Sequence, residues 1–75
     1  MEKLVHQLAA ALKNHQYNPR ACIVVMRTNG TDCRIDFASS DPVSLAKRYR
    51  KLCMTLDPTV WTLEFRSAGK RIPVE

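Results

Sequence analysis

The pair Asn29-Gly30 separates two strand-like runs, residues 21–27 and 31–38, and restricts the fold more than any other feature of the sequence. The first run is continuous and rich in β-branched side chains, which favour strands. Asn-Gly is the preferred pair for a two-residue hairpin turn in which both turn residues have positive φ. The sequence therefore predicts an antiparallel hairpin at this pair.

A two-residue turn at this pair also predicts which side chains of the hairpin share a face. Directly opposed residues lie on the same face of an antiparallel pair. The predicted apolar pairs are Met26 with Cys33, Val24 with Ile35 and Cys22 with Phe37. On the other face, Ile23 and Val25 lie opposite charged residues. We expect the first face to be buried, and Ile23 and Val25 either to be covered by a helix or a terminal segment or to form a small protein-binding patch.

The spacing of apolar residues predicts the remaining elements. Residues 3–14 and 42–56 repeat apolar side chains three and four positions apart, which indicates two helices. Asp41 or Ser40 caps the second helix, and Pro42 lies in its first turn, where a missing N–H costs nothing. Residues 60–66 alternate between apolar and polar side chains, which indicates a half-buried strand, and the segment up to Val74 indicates a short one.

The predicted order of elements, α-β-β-α-β-(β), indicates a small single α+β domain over residues 1–75. We expect an antiparallel-rich sheet of three to four strands that carries two helices. The order also matches a permuted ferredoxin-like layout, in which the first strand of β-α-β-β-α-β has moved to the end. That layout would place the last strand inside the sheet, whereas Pro73 lacks an amide donor and favours an edge. An edge position for the last strand is therefore the preferred version.

Composition and charge describe a small folded protein that attracts anions. The 75 residues are 45% hydrophobic and 25% charged, close to the globular average. Twelve Lys and Arg against seven Asp and Glu give a net charge of +5, which suits nucleic acid, an acidic protein or an anionic membrane surface. The apolar stretches are too short for a spanning helix and lack a signal-peptide layout, so we expect no membrane insertion.

The three cysteines, Cys22, Cys33 and Cys53, are an odd number without a close pair. This pattern argues against a disulfide framework and for a reducing compartment, so the expected location is cytoplasmic. Under the predicted register, Cys22 and Cys33 lie about 13 Å apart, too far for a bridge or for shared metal ligation. We expect all three to be small core residues.

The arrangement of the polar residues indicates neither catalysis nor cofactor binding. The sequence has no Cys-x-x-Cys or His-x-x-x-His spacing, so we expect no metal site. It also has no nucleophile elbow. Gly30 and Gly69 are placed as turn residues rather than in a phosphate-binding loop. The chain is therefore expected to bind a partner rather than to act as an enzyme, and to need no cofactor.

One cluster of positively charged residues stands out from the rest of the sequence. Residues 47–51 hold four cations on the second helix, whose acidic residues lie only at its ends, and the last hairpin adds a second basic group. A phosphate backbone favours such a stripe, because each neutralised phosphate releases condensed counterions. The predicted nucleic-acid-binding residues are Lys47, Arg48, Arg50, Lys51, Arg66, Lys70 and Arg71. The competing interpretation is a solvated helix face.

Two functions follow from these observations. The first is a nucleic-acid-binding accessory or regulatory factor that contacts the phosphates of DNA or RNA through its second helix. Base stacking is not expected, because the strand aromatics fall on apolar faces and Tyr17 alone is predicted to lie on the surface. The alternative is an inhibitor or adaptor that docks on an acidic surface of a larger protein through Ile23 and Val25 or through a sheet edge. Homodimerisation through the same patch is a variant of this alternative.

Overall fold

Two helices pack on one face of a four-stranded antiparallel sheet in the computed structural model, which describes residues 3–14 and 20–73. In chain order the elements are α1 (Lys3–Asn14), β1 (Ala21–Arg27), β2 (Arg34–Ser39), α2 (Pro42–Thr55), β3 (Trp61–Ser67) and β4 (Lys70–Ile72). The strands lie in the order β2-β1-β3-β4, and each neighbouring pair is antiparallel. The predicted α+β class and order of elements are confirmed.

The strand β4 lies at an edge of the sheet and is three residues long. Among the described residues it pairs with β3 alone, with Phe65 opposite Ile72 and Ser67 opposite Lys70. Pro73 follows it directly and has no amide hydrogen to donate to a further strand. The permuted ferredoxin-like layout is therefore wrong, because it requires the last strand to lie between two others.

The hairpin of β1 and β2 forms, but its turn differs from the predicted one. The N–H of Gly30 donates to the carbonyl of Arg27, and the N–H of Arg27 donates to the carbonyl of Thr31, so the loop has three residues, 28–30. Gly30 has a φ of 86°, whereas Asn29 does not have a positive φ. Asn29 instead accepts hydrogen bonds from the N–H and the hydroxyl of Thr31, at 3.0 and 2.6 Å. The two-residue turn is therefore wrong, although Gly30 supplies the positive φ that the reversal requires.

The register of the hairpin is as predicted at Val24 and Val25 and differs from the prediction on both sides of them. The loop is one residue longer than predicted. One extra residue between the loop and β2, where Asp32 has a φ of 54°, restores the predicted pairing at the start of β2. The pairs that agree with the predicted register are Val24 with Ile35 and Val25 with Arg34. A β-bulge at Asp36 then adds a second extra residue, and Phe37 lies opposite Ile23 rather than Cys22. A shift of one residue turns every later side chain to the other face of the strand.

The helices cover the face of the hairpin that was predicted to be the outer one. Ile23 and Val25 are fully buried and lie opposite Phe65 and Leu63 of β3. Ile35, predicted to be in the core, is 67% exposed. The predicted buried face is therefore wrong. β1 is apolar on both faces, so its own sequence does not determine which face meets the helices. The alternation of apolar and polar side chains in β3 determines it.

One cluster of buried apolar side chains joins both helices to the sheet. Its largest fully buried members are Phe65, Leu12, Ile23, Leu45 and Val25. The ring of Tyr49 stacks on that of Phe65 with centroids 4.7 Å apart, which links α2 to β3. The predicted apolar stripe of α2 is confirmed, since Leu45 and Leu52 are buried and Tyr49 and Leu56 pack against the same cluster.

Asp41 caps the N-terminus of α2, which begins at Pro42 and ends at Thr55 as its sequence signals predict. Its carboxylate accepts hydrogen bonds from the hydroxyl of Ser44 at 2.8 Å and from the N–H of Val43 at 3.1 Å. These two bonds, that of Ser44 first, hold the pKa of Asp41 below its usual value of 3.8. The ionised form of the cap is therefore the stabilising one.

Replacing Asp41 by alanine should lower the Tm by several degrees at neutral pH, because two donors lose their acceptor. The folded-state pKa lies below the unfolded value of 3.8, so the stabilisation is present above pH 3.8 and is lost as the pH falls through the folded-state pKa. Thermal melts followed by circular dichroism, from neutral to strongly acidic pH, should show the two proteins converging at the acid end. A Tm difference that stays constant over this range would contradict the role of the ionised cap.

Candidate functional site

The outward side of α2 carries exposed cations. Lys47 and Lys51 are exposed and lie on the side of the helix away from the buried Leu45 and Leu52. Residues four apart on a helix are neighbours, with Cβ atoms about 6 Å apart. Neither lysine forms an ion pair with another described residue. We refer to these two side chains as the α2 outer face.

The two arginines of the same predicted cluster make contacts within the protein. Arg48 donates from Nε to Asp36 of β2 at 2.9 Å, in a partly buried pair. The hydrogen bond and the charge of Asp36 raise the pKa of Arg48, and the carboxylate offsets its positive charge. Arg50 is partly buried and donates to the sulfur of Met54. The most exposed charge of the cluster is therefore that of Lys47 and Lys51.

The acidic residues at the two ends of α2 are engaged in local hydrogen bonds. Asp41 accepts from the first turn of the helix, as described above. Asp57 accepts from the N–H and the hydroxyl of Thr59, at 2.9 and 2.8 Å, and these bonds hold the pKa of Asp57 below its usual value. Neither carboxylate pairs with Lys47 or Lys51, so the charge of the α2 outer face is not neutralised there.

The second predicted basic group lies on a different part of the molecule. Arg66 is on the sheet face that the helices leave uncovered, and its guanidinium binds Glu64. Lys70 and Arg71 are exposed on β4, at the opposite edge of the sheet from β2, to which Arg48 is bound. Three strand spacings, about 14 Å, separate these edges. The structure therefore does not bring the seven predicted cations together on one surface.

The two residues of the predicted protein-binding patch are core residues. Ile23 and Val25 are fully buried and belong to the cluster that both helices cover. The helices cover both side chains, as the other interpretation of the sequence predicted. A partner can reach neither side chain while the domain is folded.

The uncovered face of the sheet contains an apolar depression with a volume of about 390 Å³. Its floor is formed by Cys22 and Val24 of β1 and by the residues opposite them on β2, Ala38 and Ile35. Val24 is only 3% exposed, although neither helix in the described part of the chain packs on this face. Ile35, which lies opposite Val24 on β2, is 67% exposed. We refer to this depression as the open-face groove.

Arginine side chains lie at one end of the open-face groove. Arg20 and Arg66 line it, and Arg20 donates to a backbone carbonyl of β2 at 3.1 Å. Arg71 lies opposite Arg66 in the sheet and therefore beside it on the same face. Arg34 also lines the groove, but its guanidinium lies 5.8 Å from the ring of Trp61, on the helix-covered side. The described lining residues include no acidic side chain.

The open-face groove is not evident from the sequence of the hairpin, whose pattern assigns this face to the core. A usable signal was present in β3, where Leu63 and Phe65 alternate with Glu64 and Arg66. Pairing β3 with β1 places Ile23 on the side of Phe65. The other side chains of β1 then necessarily lie on the face of the charged residues.

The cysteines are free thiols, and they are not the core residues that were predicted. Cys33 and Cys53 are exposed and Cys22 is partly buried. Cys22 and Cys33 line the open-face groove. Cys53 lies on α2, where desolvation of the thiol by neighbouring side chains raises its pKa. The prediction is wrong because Cys33 precedes β2 in the connecting loop and Cys53 lies beside, not on, the apolar stripe of α2.

Three further expectations concern metals, membranes and surface aromatics. Within residues 3–14 and 20–73, no three His, Cys, Asp or Glu side chains are grouped so that they would hold a metal ion. Neither helix in these ranges has the length and apolar character needed to cross a membrane. Tyr17, the predicted surface aromatic, lies outside the described residues.

Comparison of the chain with protein-family models, with curated proteins and with solved structures gave no match. Function must therefore be argued from the two surfaces themselves.

Proposed function

We propose that the protein is a small, basic, non-enzymatic accessory or regulatory factor that contacts the phosphates of DNA or RNA through the α2 outer face. The observation that supports this proposal most directly is that Lys47 and Lys51 are exposed one turn apart, without an ion-pair partner among the described residues. A duplex carries one charge per about 1.7 Å of its axis, so a helix lying across the backbone meets several phosphates.

The chemistry of the α2 outer face favours phosphate contacts over base recognition. The ammonium group of a lysine acts as a point charge, whereas bidentate recognition of a base edge uses Arg, Asn or Gln. Arg48, the best placed residue for such recognition, is bound to Asp36. The expected binding is therefore weak, strongly salt-dependent and almost independent of base sequence.

The alternative function, docking of an inhibitor or adaptor on an acidic protein surface, does not use Ile23 and Val25, because both are buried. The surface that suits this alternative is the open-face groove. It differs from the α2 outer face in its residues, in its chemistry and in the side of the sheet on which it lies.

The double substitution K47E/K51E should abolish measurable binding to labelled duplex DNA, single-stranded DNA and RNA in fluorescence-polarisation titrations. The Tm should stay nearly unchanged, because both side chains are surface groups. Each phosphate contact contributes about 0.9 to the slope of log affinity against log salt, so two contacts predict a loss of about tenfold for the unchanged protein between 50 and 200 mM salt.

A matched control places the same change of charge on the other helix. Lys3 and Lys13 of α1 are exposed, so K3E/K13E has the same net charge as K47E/K51E. This control should keep roughly a third or more of the original affinity, because neither Lys3 nor Lys13 belongs to the α2 outer face and charges that do not contact the phosphates are largely screened. Equal losses of affinity in the two double variants would show that binding depends on net charge alone, and would contradict a site on α2. Absence of binding by the unchanged protein at low salt would refute the proposal outright.

A further inference from the structure

We infer that the open-face groove binds an acidic segment of a protein partner, with an aliphatic side chain on its floor and a carboxylate at its arginine end. The site is independent of the proposed nucleic-acid contact, because α2 packs on the other face of the sheet. Four observations support it: the chemistry of the floor, the charge at one end, the exclusion of other occupants, and the position of the groove on an open sheet.

The floor of the groove suits an aliphatic group. It consists of Cys22, Val24, Ile35 and Ala38. The described lining residues include no aromatic side chain, so the groove offers no surface on which a nucleic-acid base would stack. Ile35 is 67% exposed, and an aliphatic side chain placed against it removes this apolar surface from water.

The arginine end of the groove suits a carboxylate. Arg20 forms no ion pair with a described residue, and Arg66 is paired with a single carboxylate, that of Glu64. A guanidinium carries five N–H donors, so each arginine retains donors for another acceptor. The described lining residues include no acidic side chain, and Glu64, which lies beside Val24 on the same face, is already paired with Arg66, so a carboxylate that enters the groove meets the unpaired charge of Arg20.

Other occupants fit the groove less well. A symmetric pair of copies through this face would place the arginines of each copy against the groove of the other, whose described lining residues supply no carboxylate to pair with them. A nucleic-acid strand would satisfy the arginines but not the aliphatic floor. A peptide segment that alternates acidic and aliphatic residues supplies both complements. Neither described helix covers this sheet face, so the described residues leave the groove accessible to a segment of another chain.

Thiol alkylation gives a readout inside the groove. Cys33 lines the groove, whereas Cys53 lies on α2 at the helix-covered side and serves as an internal reference. The probe is a blocked synthetic peptide of alternating aspartate and leucine, and labelling by N-ethylmaleimide is followed by mass spectrometry. Since alkylation depends on thiol exposure, we expect a saturating peptide to slow the labelling of Cys33 about fivefold or more, while that of Cys53 stays within about twofold.

Variants of the peptide and of the protein test the aliphatic contact and the carboxylate contact separately. Peptides with serine in place of leucine, or with lysine in place of aspartate, should not protect Cys33. The substitutions I35S and R20E should each remove the protection, and both positions are exposed, so folding should be retained. K47E/K51E should keep the protection, which distinguishes failure of this inference from failure of the nucleic-acid proposal.

Three results would overturn the inference. The first is unchanged labelling of Cys33 in the presence of the acidic, aliphatic peptide. The second is equal protection by the lysine peptide or by an oligothymidylate of similar length, and in the latter case nucleic acid would be the ligand of the groove. The third is loss of protection in K47E/K51E, which would place the peptide on α2.

Discussion

Ile23→Asp should leave little folded protein at room temperature, whereas Ile35→Asp should melt within a few degrees of the unchanged chain. Ile23 is fully buried beneath the helices, and Ile35 is 67% exposed on the other face of the sheet. An unpaired carboxylate at position 23 combines lost apolar burial with desolvation, and costs more than about 4 kcal/mol, a large part of the stability of a small domain. At position 35 the carboxylate stays in water.

Circular dichroism melts and amide NMR spectra of the two variants measure this difference directly. Both substitutions replace isoleucine by aspartate in adjacent strands, so composition and charge are matched. If Ile35→Asp unfolds the domain and Ile23→Asp does not, then the helices cover the opposite face from the one described, and the open-face groove does not exist.

Phe65→Ala should lower the free energy of unfolding by about 3–5 kcal/mol. Its ring is fully buried at the centre of β3 and stacks on Tyr49 of α2, so its removal leaves a cavity between the sheet and the helix. Phe37 is a suitable comparison, because it lies on the edge strand β2 and is only partly buried. Phe37→Ala should cost about half as much or less, since its surroundings already admit solvent.

Denaturant titrations of both alanine variants give these differences, provided that the dependence on denaturant stays the same. Equal destabilisation at the two positions would show that Phe65 is not the central residue of the core. A loss of cooperativity confined to Phe65→Ala would agree with its position between β3 and α2.

The helices, the strands and their order were predictable because their signals are local. The N-cap at Asp41, the apolar stripe from Leu45 to Leu56 and the alternation of β3 each occupy a few consecutive turns or residues. The buried face of the hairpin was not predictable from the hairpin itself. β1 is apolar on both sides, and the bulge at Asp36 leaves no mark in the sequence.

The sequence shows which residues of the candidate surfaces are charged, but it does not show which of them form ion pairs within the protein. Residues 47–51 show a basic cluster, but the ion pair between Arg48 and Asp36 joins two elements twelve positions apart. The pairing is set by how α2 crosses β2, which no local pattern reports. The open-face groove depends even more on tertiary structure, because Arg20 and Arg66 come together only when β1 pairs with β3.

The edges of the sheet also affect how the native protein behaves at high concentration. Fibril growth requires a long, flat edge whose N–H and C=O groups are regularly spaced for another chain. β2 is interrupted by the bulge at Asp36, and β4 ends after three residues at Pro73. The most apolar strand, β1, lies between β2 and β3, so its backbone is already paired on both sides. The folded chain therefore holds its most apolar strand in the middle of the sheet, and the edges that the described residues form are short or irregular.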